Sequence, residues 1–229
     1  MLTPLLIAGC IGYLLGSLPF GYLVARARGV NIFEVGSKNP GATNVRRVLG
    51  HGPGNLVLLL DALKGAVAAS WTLLQGTRFA GPGGDTFLGL HLTGEAWGAL
   101  GVAGVIGALL GHSYSCFTHF KGGKGVATGA GGFLVLFPLG MAIGIAVFCI
   151  ALAVTRYVSL SSILGAILLP ILAIVFQQST LLISVTSAVA LFVVLRHRPN
   201  ISRLLAGTES KVGQKKPAAA PLRPFTPKS

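Results

Sequence analysis

Residues 126–155, VATGAGGFLVLFPLGMAIGIAVFCIALAVT, form an unbroken apolar stretch without a charged side chain. As a single helix this stretch would be about 45 Å long at ~1.5 Å per residue, whereas the hydrocarbon core of a bilayer is about 30 Å thick. Pro138 and Gly140 lie near its middle and offer the chain a place to turn. We therefore predict two short membrane helices, at 125–137 and 139–155, instead of one long helix.

The whole chain has the composition of a membrane protein. Of its 229 residues, 52% are hydrophobic and 10% are charged, and the mean hydropathy is +0.77. A soluble domain carries about 25% charged residues. The ~20-residue length of a membrane helix gives further spans at 3–24, 54–75, 95–111, 159–176 and 180–196. We predict an all-α integral membrane protein with about seven transmembrane helices, some of them short.

The basic residues predict how the chain is oriented. With seven spans and an outside N-terminus, all of the 18 lysines and arginines except Arg78 and Lys64 fall on one face or its adjoining tail. Positive residues concentrate in cytoplasmic loops, so we predict an outside N-terminus and a cytoplasmic C-terminus. With six spans, the basic C-terminal segment would lie on the opposite side of the membrane from the other basic loops.

The net charge of +13 restricts the class of partner. The basic residues adjoin membrane spans and have no aromatic residues interleaved among them, so we predict anionic lipids and anionic substrates and no nucleic acid. The cysteines have no metal or redox spacing, and we expect free core thiols, no metal and no cofactor. Residues 1–211 are expected to form a single membrane domain, and residues 212–229 a disordered basic tail rich in proline and alanine.

Polar residues concentrate in three segments on the predicted cytoplasmic face. Residues 120–128, FKGGKGVAT, combine three glycines, two lysines and the start of a helix, a combination that can hold phosphate through backbone N–H groups pointing inward. The spacing of a nucleotide-binding P-loop is absent. This segment predicts a site for a phosphorylated or lipid-linked substrate. The alternative is a flexible re-entrant turn whose lysines extend to the headgroups.

The first segment along the chain is 36–47, GSKNPGATNVRR, which alternates small, hydroxyl, amide and basic residues. Such a segment can donate many hydrogen bonds to oxyanions. A helix beginning near Thr43 would place Thr43 and Arg47 on one face. The alternative is an interfacial helix whose arginines contact lipid headgroups.

The third segment is 196–211, RHRPNISRLLAGTESK, where we predict a short helix after Pro199. Glu209 is the only carboxylate after Glu95, and we predict that it is the counter-ion of an arginine in one of the three segments. His197 is the imidazole in this segment that could contact substrate. Elsewhere, Ser159, Ser161 and Ser162 begin a span on the cytoplasmic side, where a hydroxyl can cap the helix or donate to phosphate.

Asp61 and Lys64 are three residues apart in the second span and can pair on one helix face. A charged residue inside a membrane suggests function, but a pair of opposite charges is equally a structural clamp.

These motifs resemble those of the bacterial acyl-phosphate:glycerol-3-phosphate 1-acyltransferase family (PlsY type), over residues 10–211. The patterns are G-S-x-N-x-G-A-T-N-x-x-R at 36–47, G-H at 111–112 with F-K-G-G-K-G-V-A-T at 120–128, and H-x-x-N-I-x-R-L-x-x-G-x-E at 197–209. The stretches 61–65 and 155–163 also fit. The resemblance implies a multi-pass enzyme of the bacterial inner (cell) membrane with seven helices and an active site facing the cytoplasm.

The reaction that the resemblance implies is transfer of a fatty acyl group from acyl phosphate to the 1-hydroxyl of sn-glycerol 3-phosphate. The products are lysophosphatidic acid and phosphate, and the reaction is the first step of phospholipid biosynthesis. Acyl-CoA and acyl-carrier protein are not the direct donors. The implied partners are the two substrates, membrane lipids and the soluble enzyme that makes acyl phosphate.

The family pattern also implies residue roles. Predicted catalytic residues are Ser37, Arg47, Lys124, His197 and Asn200. Predicted substrate-binding residues are Asn39, Gly41, Thr43, Asn44, Lys121, Gly122, Gly123, Gly125, Ser162 and Arg203. Glu209 and Asp61 are predicted to be structural.

The sequence shows no serine–base–acid set, so we predict direct transfer without an acyl-enzyme. Acyl phosphate has a good leaving group, whose oxygens can accept the proton of the attacking hydroxyl; His197 as general base is the rival hypothesis. Two other classes of protein stay open from the residues alone. A transporter of organic phosphates would have mid-membrane polar residues and an internal repeat, and a non-catalytic lipid-binding protein would not need three phosphate-binding loops.

Overall fold

The computed structural model describes residues 2–74, 86–87 and 90–214. The helices in these ranges are α1 (Leu2–Ser17), α2 (Phe20–Arg26), α3 (Ala42–Leu49), α4 (His51–Ala69), α5 (Gly94–Ser113), α6 (Val126–Leu136), α7 (Pro138–Thr155), α8 (Val158–Val175), α9 (Thr180–Arg196) and α10 (Arg198–Leu205). Short 3-10 turns follow α4 and α5, at Ser70–Leu74 and Cys116–Thr118. Two antiparallel strands, β1 (Thr86–Phe87) and β2 (Leu90–His91), precede α5.

The apolar stretch at 126–155 is divided as predicted. α6 ends at Leu136, and Pro138 is the first residue of α7. A proline at this position costs little, because the first N–H groups of a helix have no partner within the helix. The prediction of two helices is therefore confirmed.

The structure confirms a helical membrane protein but not the number of its spans. Within the described residues, five helical segments are long and apolar enough to cross a bilayer, and a sixth is added if α9 and α10, bent by 58°, count as one span. α6 has 11 residues and is about 17 Å long at ~1.5 Å per residue. Seven spans and the orientation of the chain stay predictions, and Arg78 lies outside the described residues.

Small residues let the helices approach closely. A Cβ atom at Gly12 of α1 would lie 2.2 Å from the carbonyl oxygen of Gly104 on α5, and one at Gly65 of α4 would lie 1.9 Å from that of Thr128 on α6. Such contacts are typical of helix pairs in membranes, where small residues permit backbone packing. The contact between Gly65 and Thr128 packs α6 closely on α4. The glycine-rich segment that precedes α6 is therefore anchored at its C-terminal end.

α6 is preceded, and α7 is followed, by residues that contact the C-terminal part of the chain. Lys124, before α6, contacts Asn200, and Arg156, after α7, contacts Val212. α6 has 11 residues and α7 has 18, a difference of about 10 Å at ~1.5 Å per residue.

The segment after α10 is fastened to the α7–α8 turn. Val212 N–H donates to the Arg156 carbonyl at 2.8 Å, and the Arg156 Nε and Nη2 atoms donate to the Val212 carbonyl at 2.9 and 2.6 Å. The Lys211 ammonium lies 5.3 Å from the centre of the Tyr157 ring. Val212, the first residue of the predicted tail, thus makes hydrogen bonds with Arg156; residues 215–229 lie outside the described residues, and the disordered tail stays a prediction.

Cys10, Cys116 and Cys149 are unpaired and exposed on the surface of the bundle. The prediction that these three cysteines lie in the core is wrong. Apolar atoms make up much of the surface of any protein, so the apolar character of a thiol does not place it in the interior.

Candidate active site

The three polar segments meet at one end of the bundle. The Lys124 ammonium donates a hydrogen bond to the side-chain oxygen of Asn200 on α10. Arg196, at the end of α9, donates from Nη2 to the Gly123 carbonyl at 2.7 Å. Arg47 on α3 lies within electrostatic reach of the segment that includes α10 and the residues after it. Arg47 and Arg203, which lie far apart in the sequence, therefore belong to one cluster.

Glu209 is the centre of a hydrogen-bond network in this cluster. Its carboxylate accepts hydrogen bonds from Asn200 Nδ2 at 2.6 Å, Arg203 Nε at 2.7 Å and Ser159 Oγ at 2.8 Å. Burial alone would raise the pKa of this carboxyl, but the hydrogen bonds hold the pKa below its ordinary value. Glu209 is therefore ionised at neutral pH and is the counter-ion of Arg203.

Lys124 is joined to Glu209 through the Asn200 amide, whose oxygen accepts from the lysine and whose nitrogen donates to the carboxylate. Burial lowers the pKa of Lys124 to about 8; Glu209 opposes this change, and the neighbouring arginines add to it. The ammonium is thus charged at pH 7 in a partly desolvated position. A cation in such a position attracts a phosphate more strongly than one in water does.

His197 is 3% exposed, and its Nδ1 lies 2.7 Å from the Val193 carbonyl oxygen. Burial lowers its pKa to about 4, and the charge of Lys124 contributes. The ring is therefore neutral at pH 7. Because a carbonyl oxygen can only accept, Nδ1 carries the proton, and Nε2 is the atom that can accept a hydrogen bond.

The glycine-rich segment differs from the predicted cradle. The Gly123 N–H donates to the His112 carbonyl at 3.0 Å, so it does not face an anion as predicted. The amides that an anion can use are those of the first turn of α6, which have no carbonyl partner four residues earlier. α6 begins after Gly125, whose φ of +79° is in the left-handed region that favours glycine.

The two lysines of this segment do not share a site. Lys124 contacts Asn200, whereas Lys121 lines a small cavity with Asp61, Lys64 and His112. The cavity has a volume of about 10 Å³, which is the size of one water molecule. That Lys121 binds substrate stays a prediction, and its surroundings differ from those of Lys124.

Asn44 organises the first segment from the inside. It is 1% exposed, its Nδ2 donates to the Val35 carbonyl at 3.1 Å, and its Oδ1 accepts from the Ser37 N–H at 2.8 Å and from Arg47 Nη1 at 3.5 Å. These bonds use its amide within the protein. The geometry favours a positioning role for Asn44, and its contact with substrate stays a prediction.

The other predicted residues of the first segment lie on or before the first turn of α3. Ser37 and Thr43 are exposed. The Asn39 side-chain oxygen accepts from the Gly41 N–H at 2.9 Å, and Gly41 directly precedes α3. Ser37 and Thr43 therefore keep their hydroxyl groups available to a ligand, while the oxygen of Asn39 shapes the turn.

The serines at the start of α8 have other partners than predicted. Ser161 and Ser162 donate to the carbonyls of Tyr157 and Val158 at 2.9 and 2.8 Å, and no side chain caps α8. The capping prediction is wrong. Ser159 is the serine that reaches the cluster, through Glu209, and Arg196 is a second residue of the cluster that the predicted set lacks. An arginine ending an apolar helix beside a glycine-rich loop is a signal that could have identified Arg196.

An apolar groove runs from the cluster between α5 and α9. It encloses about 410 Å³ and is lined by Val102, Ile106, Leu109, Leu110, Leu181, Ser184, Val185, Ala188, Val189 and Phe192. One end adjoins the start of α6, since a Cβ atom at Gly125 would lie 2.8 Å from Leu109 Cδ2 and 3.7 Å from Phe192 Cε1. Within the described residues, no group of three or more His, Cys, Asp or Glu side chains is placed to hold a metal ion.

Comparison with known proteins gives consistent matches over most of the chain. A family model described as "Glycerol-3-phosphate acyltransferase" matches residues 6–207. A curated glycerol-3-phosphate acyltransferase of Trichormus variabilis is 46% identical over 211 residues, which cover 90% of each chain. The crystal structure of PlsY (YgiH), an integral membrane glycerol 3-phosphate acyltransferase, is similar in its glycerol 3-phosphate form, with a TM-score of 0.77, 34% identity, and coverage of 91% of this chain and 96% of that one. Its lysophosphatidic acid form matches with a TM-score of 0.75, 34% identity, and coverage of 91% and 95%.

Proposed function

The chain belongs to the glycerol-3-phosphate acyltransferase family, and from this premise we propose that acyl phosphate is its acyl donor and that the cluster around Glu209 is its active site. It is a membrane acyltransferase that acylates glycerol 3-phosphate to lysophosphatidic acid. The proposal rests above all on one observation, the hydrogen-bond network in which Asn200 and Arg203 donate to the Glu209 carboxylate while Lys124 donates to Asn200.

The charge of the cluster suits two anionic substrates. Among the described residues, the charges that act on Lys124 are those of three arginines and one carboxylate, namely Arg203, Arg196, Arg47 and Glu209, so the cluster is strongly positive. Two phosphates held side by side repel each other, and this excess of positive charge offsets that repulsion. Holding both reactants in a reactive geometry can remove about 7–11 kcal/mol from the barrier.

Each substrate has a suitable place. The first-turn amides of α6 bind the phosphate of acyl phosphate, because a helix N-terminus presents N–H donors and a favourable dipole to an anion. Lys124, Arg203 and Arg47 bind the phosphate of glycerol 3-phosphate together with the exposed Ser37 hydroxyl. The apolar groove that begins beside Gly125 accepts the acyl chain, so that the carbonyl carbon lies between the two phosphates.

The transfer step is direct. The 1-hydroxyl oxygen of glycerol 3-phosphate attacks the acyl carbonyl carbon, the new ester C–O bond forms, and the bond from that carbon to the phosphate oxygen breaks. The proton of the hydroxyl passes to the departing phosphate, which leaves as inorganic phosphate. His197 is neutral and its pKa is about 4, so it is a weaker base than a phosphate dianion, whose second pKa is about 6.

The pH dependence of a His197→Ala variant tests this proton transfer. In the proposed site, His197 Nε2 accepts a hydrogen bond from a hydroxyl of glycerol 3-phosphate. We expect kcat/KM to fall about tenfold in the variant, because this hydrogen bond, worth roughly 1.4 kcal/mol, is lost, while the acidic limb of the pH–rate profile remains. If His197 were the base, activity would be lost as pH falls through its pKa of about 4, and the variant would lack that limb. A variant profile without an acidic limb contradicts substrate assistance.

The chain-length preference of an Ala188→Phe variant tests the groove. Ala188 lines the groove on α9, and a phenyl ring there would displace methylene groups of a long acyl chain. Each displaced methylene costs about 0.8 kcal/mol. Displacement of two methylenes is therefore expected to lower kcat/KM for palmitoyl phosphate by roughly 15-fold, while kcat/KM for octanoyl phosphate changes little. Leu191→Phe is the control, because Leu191 is 60% exposed on the same helix; equal effects of both variants would contradict the groove.

The identity of the donor is tested with the purified protein in detergent. Palmitoyl phosphate and labelled glycerol 3-phosphate are expected to give labelled lysophosphatidic acid, and palmitoyl-CoA is expected to give none. A transporter or a lipid-binding protein would form no product. The convergence of the basic segments at one end of the bundle further supports an active site on the cytoplasmic face of a bacterial cell membrane, because positive residues concentrate there.

A further inference from the structure

A second charged cluster lies inside the bundle, beside the glycine-rich segment. Lys64 Nζ lies 3.0 Å from Asp61 Oδ1, and His112 Nδ1 lies 3.5 Å from the same oxygen, with all three side chains at most 9% exposed. Removing such charges from water is costly, and apolar residues of similar size often stabilise a fold equally well. Stability alone therefore does not account for this cluster, which we call the Asp61 cluster (Asp61, Lys64, His112).

His112 supports the glycine-rich segment directly. Its carbonyl accepts the Gly123 N–H at 3.0 Å. A Cβ atom at Gly123 would lie 2.1 Å from His112 Nε2, and one at Gly122 would lie 2.2 Å from the His112 carbonyl oxygen. The two glycines thus rest on this residue, with one ring nitrogen facing Asp61 and the other facing Gly123.

The same peptide is held from its other side. Arg196 Nη2 donates to the carbonyls of Gly123 and Gly122 at 2.7 and 3.3 Å. With both sides fixed, the next residue, Lys124, is directed to Asn200, and Gly125 is fixed as the start of α6. The orientation of the two phosphate-binding groups therefore depends on the position of His112.

The Asp61 cluster also contacts the break between α1 and α2, which precedes the first polar segment (residues 36–47). Lys64 Nζ donates to the Leu18 carbonyl at 2.9 Å, at the break between α1 and α2. In α2, a Cβ atom at Gly21 would lie 1.6 Å from the Pro40 carbonyl oxygen, so α2 packs directly on the segment that leads into α3 and Arg47. One cluster thus contacts the supports of both substrate-binding segments.

We propose that the Asp61 cluster is a positioning device that sets the glycine-rich segment against the α1–α2 break, and so aligns acyl phosphate with glycerol 3-phosphate. The residues of this cluster touch neither substrate. The inference rests on the proposed active site, and it assigns to three residues a role in turnover that is separate from binding.

A His112→Leu variant tests this role, because Asp61 keeps its partner Lys64 and the pair stays satisfied. We expect kcat to fall at least tenfold while KM for glycerol 3-phosphate changes less than threefold, since Lys124, Arg203 and Arg47 remain. His112→Asn keeps a donor near the position of Nδ1 and is expected to recover at least half of the lost kcat on a logarithmic scale. A purely structural role would lower the yield of folded protein and leave kcat per folded molecule unchanged.

A second variant guards against misfolding of the first. Asp61→Leu/Lys64→Met replaces the ion pair by apolar residues, so we expect an unchanged Tm together with the same loss of kcat. Hydrogen–deuterium exchange of a peptide covering 120–125 is read in parallel and is expected to be at least threefold faster in both variants. If kcat and loop exchange match the wild type, the positioning role is refuted. If the wild-type protein makes no lysophosphatidic acid, the proposed donor or site is refuted. The hydrogen–deuterium exchange rate of residues 120–125, compared between variants and wild type, then still tests the positioning role.

Discussion

Replacing Lys124 by methionine is expected to lower kcat/KM by about 10²–10³-fold, because truncating one partner of a partly buried charge pair costs about 2–5 kcal/mol. Methionine preserves much of the length of the side chain but cannot donate to Asn200 or to a phosphate. The ammonium is partly desolvated, with a pKa of about 8, and no other lysine contacts Asn200 among the described residues. Initial rates with palmitoyl phosphate and glycerol 3-phosphate measure the loss.

Lys121→Met is the matched control. It makes the same chemical change three residues earlier, at a side chain that lines the small cavity beside Asp61 and does not contact Asn200. We expect a loss below tenfold. Equal losses at Lys121 and Lys124 would show that the net charge of the segment, rather than the position of one ammonium, controls the rate.

Glu209→Gln is expected to lower kcat/KM about 100-fold and to move the alkaline limb of the pH–rate profile to lower pH. The loss follows from weakening hydrogen bonds to a charged group, each worth roughly 1.5–3 kcal/mol. The pH shift follows from the charge of Glu209, which opposes the lowering of the Lys124 pKa to about 8. Without that charge the pKa of Lys124 falls further, so the ammonium is deprotonated, and activity is lost, at a lower pH.

The control for this prediction is Glu34→Gln, which neutralises an exposed carboxylate that accepts a hydrogen bond from Asn31 at 2.7 Å. It is expected to leave the alkaline limb in place. The prediction is contradicted if the limb of Glu209→Gln stays where it is in the wild type, since Lys124 would then not be the group that titrates.

The helices could be predicted from the sequence because their physical signals are local. Apolar stretches of bilayer length and the proline at 138 gave the division between α6 and α7. The break between α1 and α2, next to Pro19, was missed within the predicted span 3–24, because total hydropathy is insensitive to a short interruption. The shortness of α6 was also predicted locally, because the glycine-rich segment and Pro138 limit the apolar stretch at its two ends.

The active site could be predicted as three segments but not as a set of contacts. Motif spacing brought Lys124, Asn200 and Glu209 into one hypothesis, and these residues are joined in the structure. The separate surroundings of Lys121 and Lys124 depend on how residues 120–125 pack against α5, α9 and α10, and the interior position of Asn44 depends on how residues 30–37 fold around it. Such long-range packing leaves no periodic pattern in the sequence.

Glu209 follows the last membrane helix in the chain, yet it ties together side chains from α8 and α10. Every hydrophobic helix must therefore leave the ribosome before the proposed anion-binding cleft can close. A nascent polypeptide stopped short of this glutamate would lack the carboxylate that joins Ser159, Asn200 and Arg203, and we expect it to be inactive.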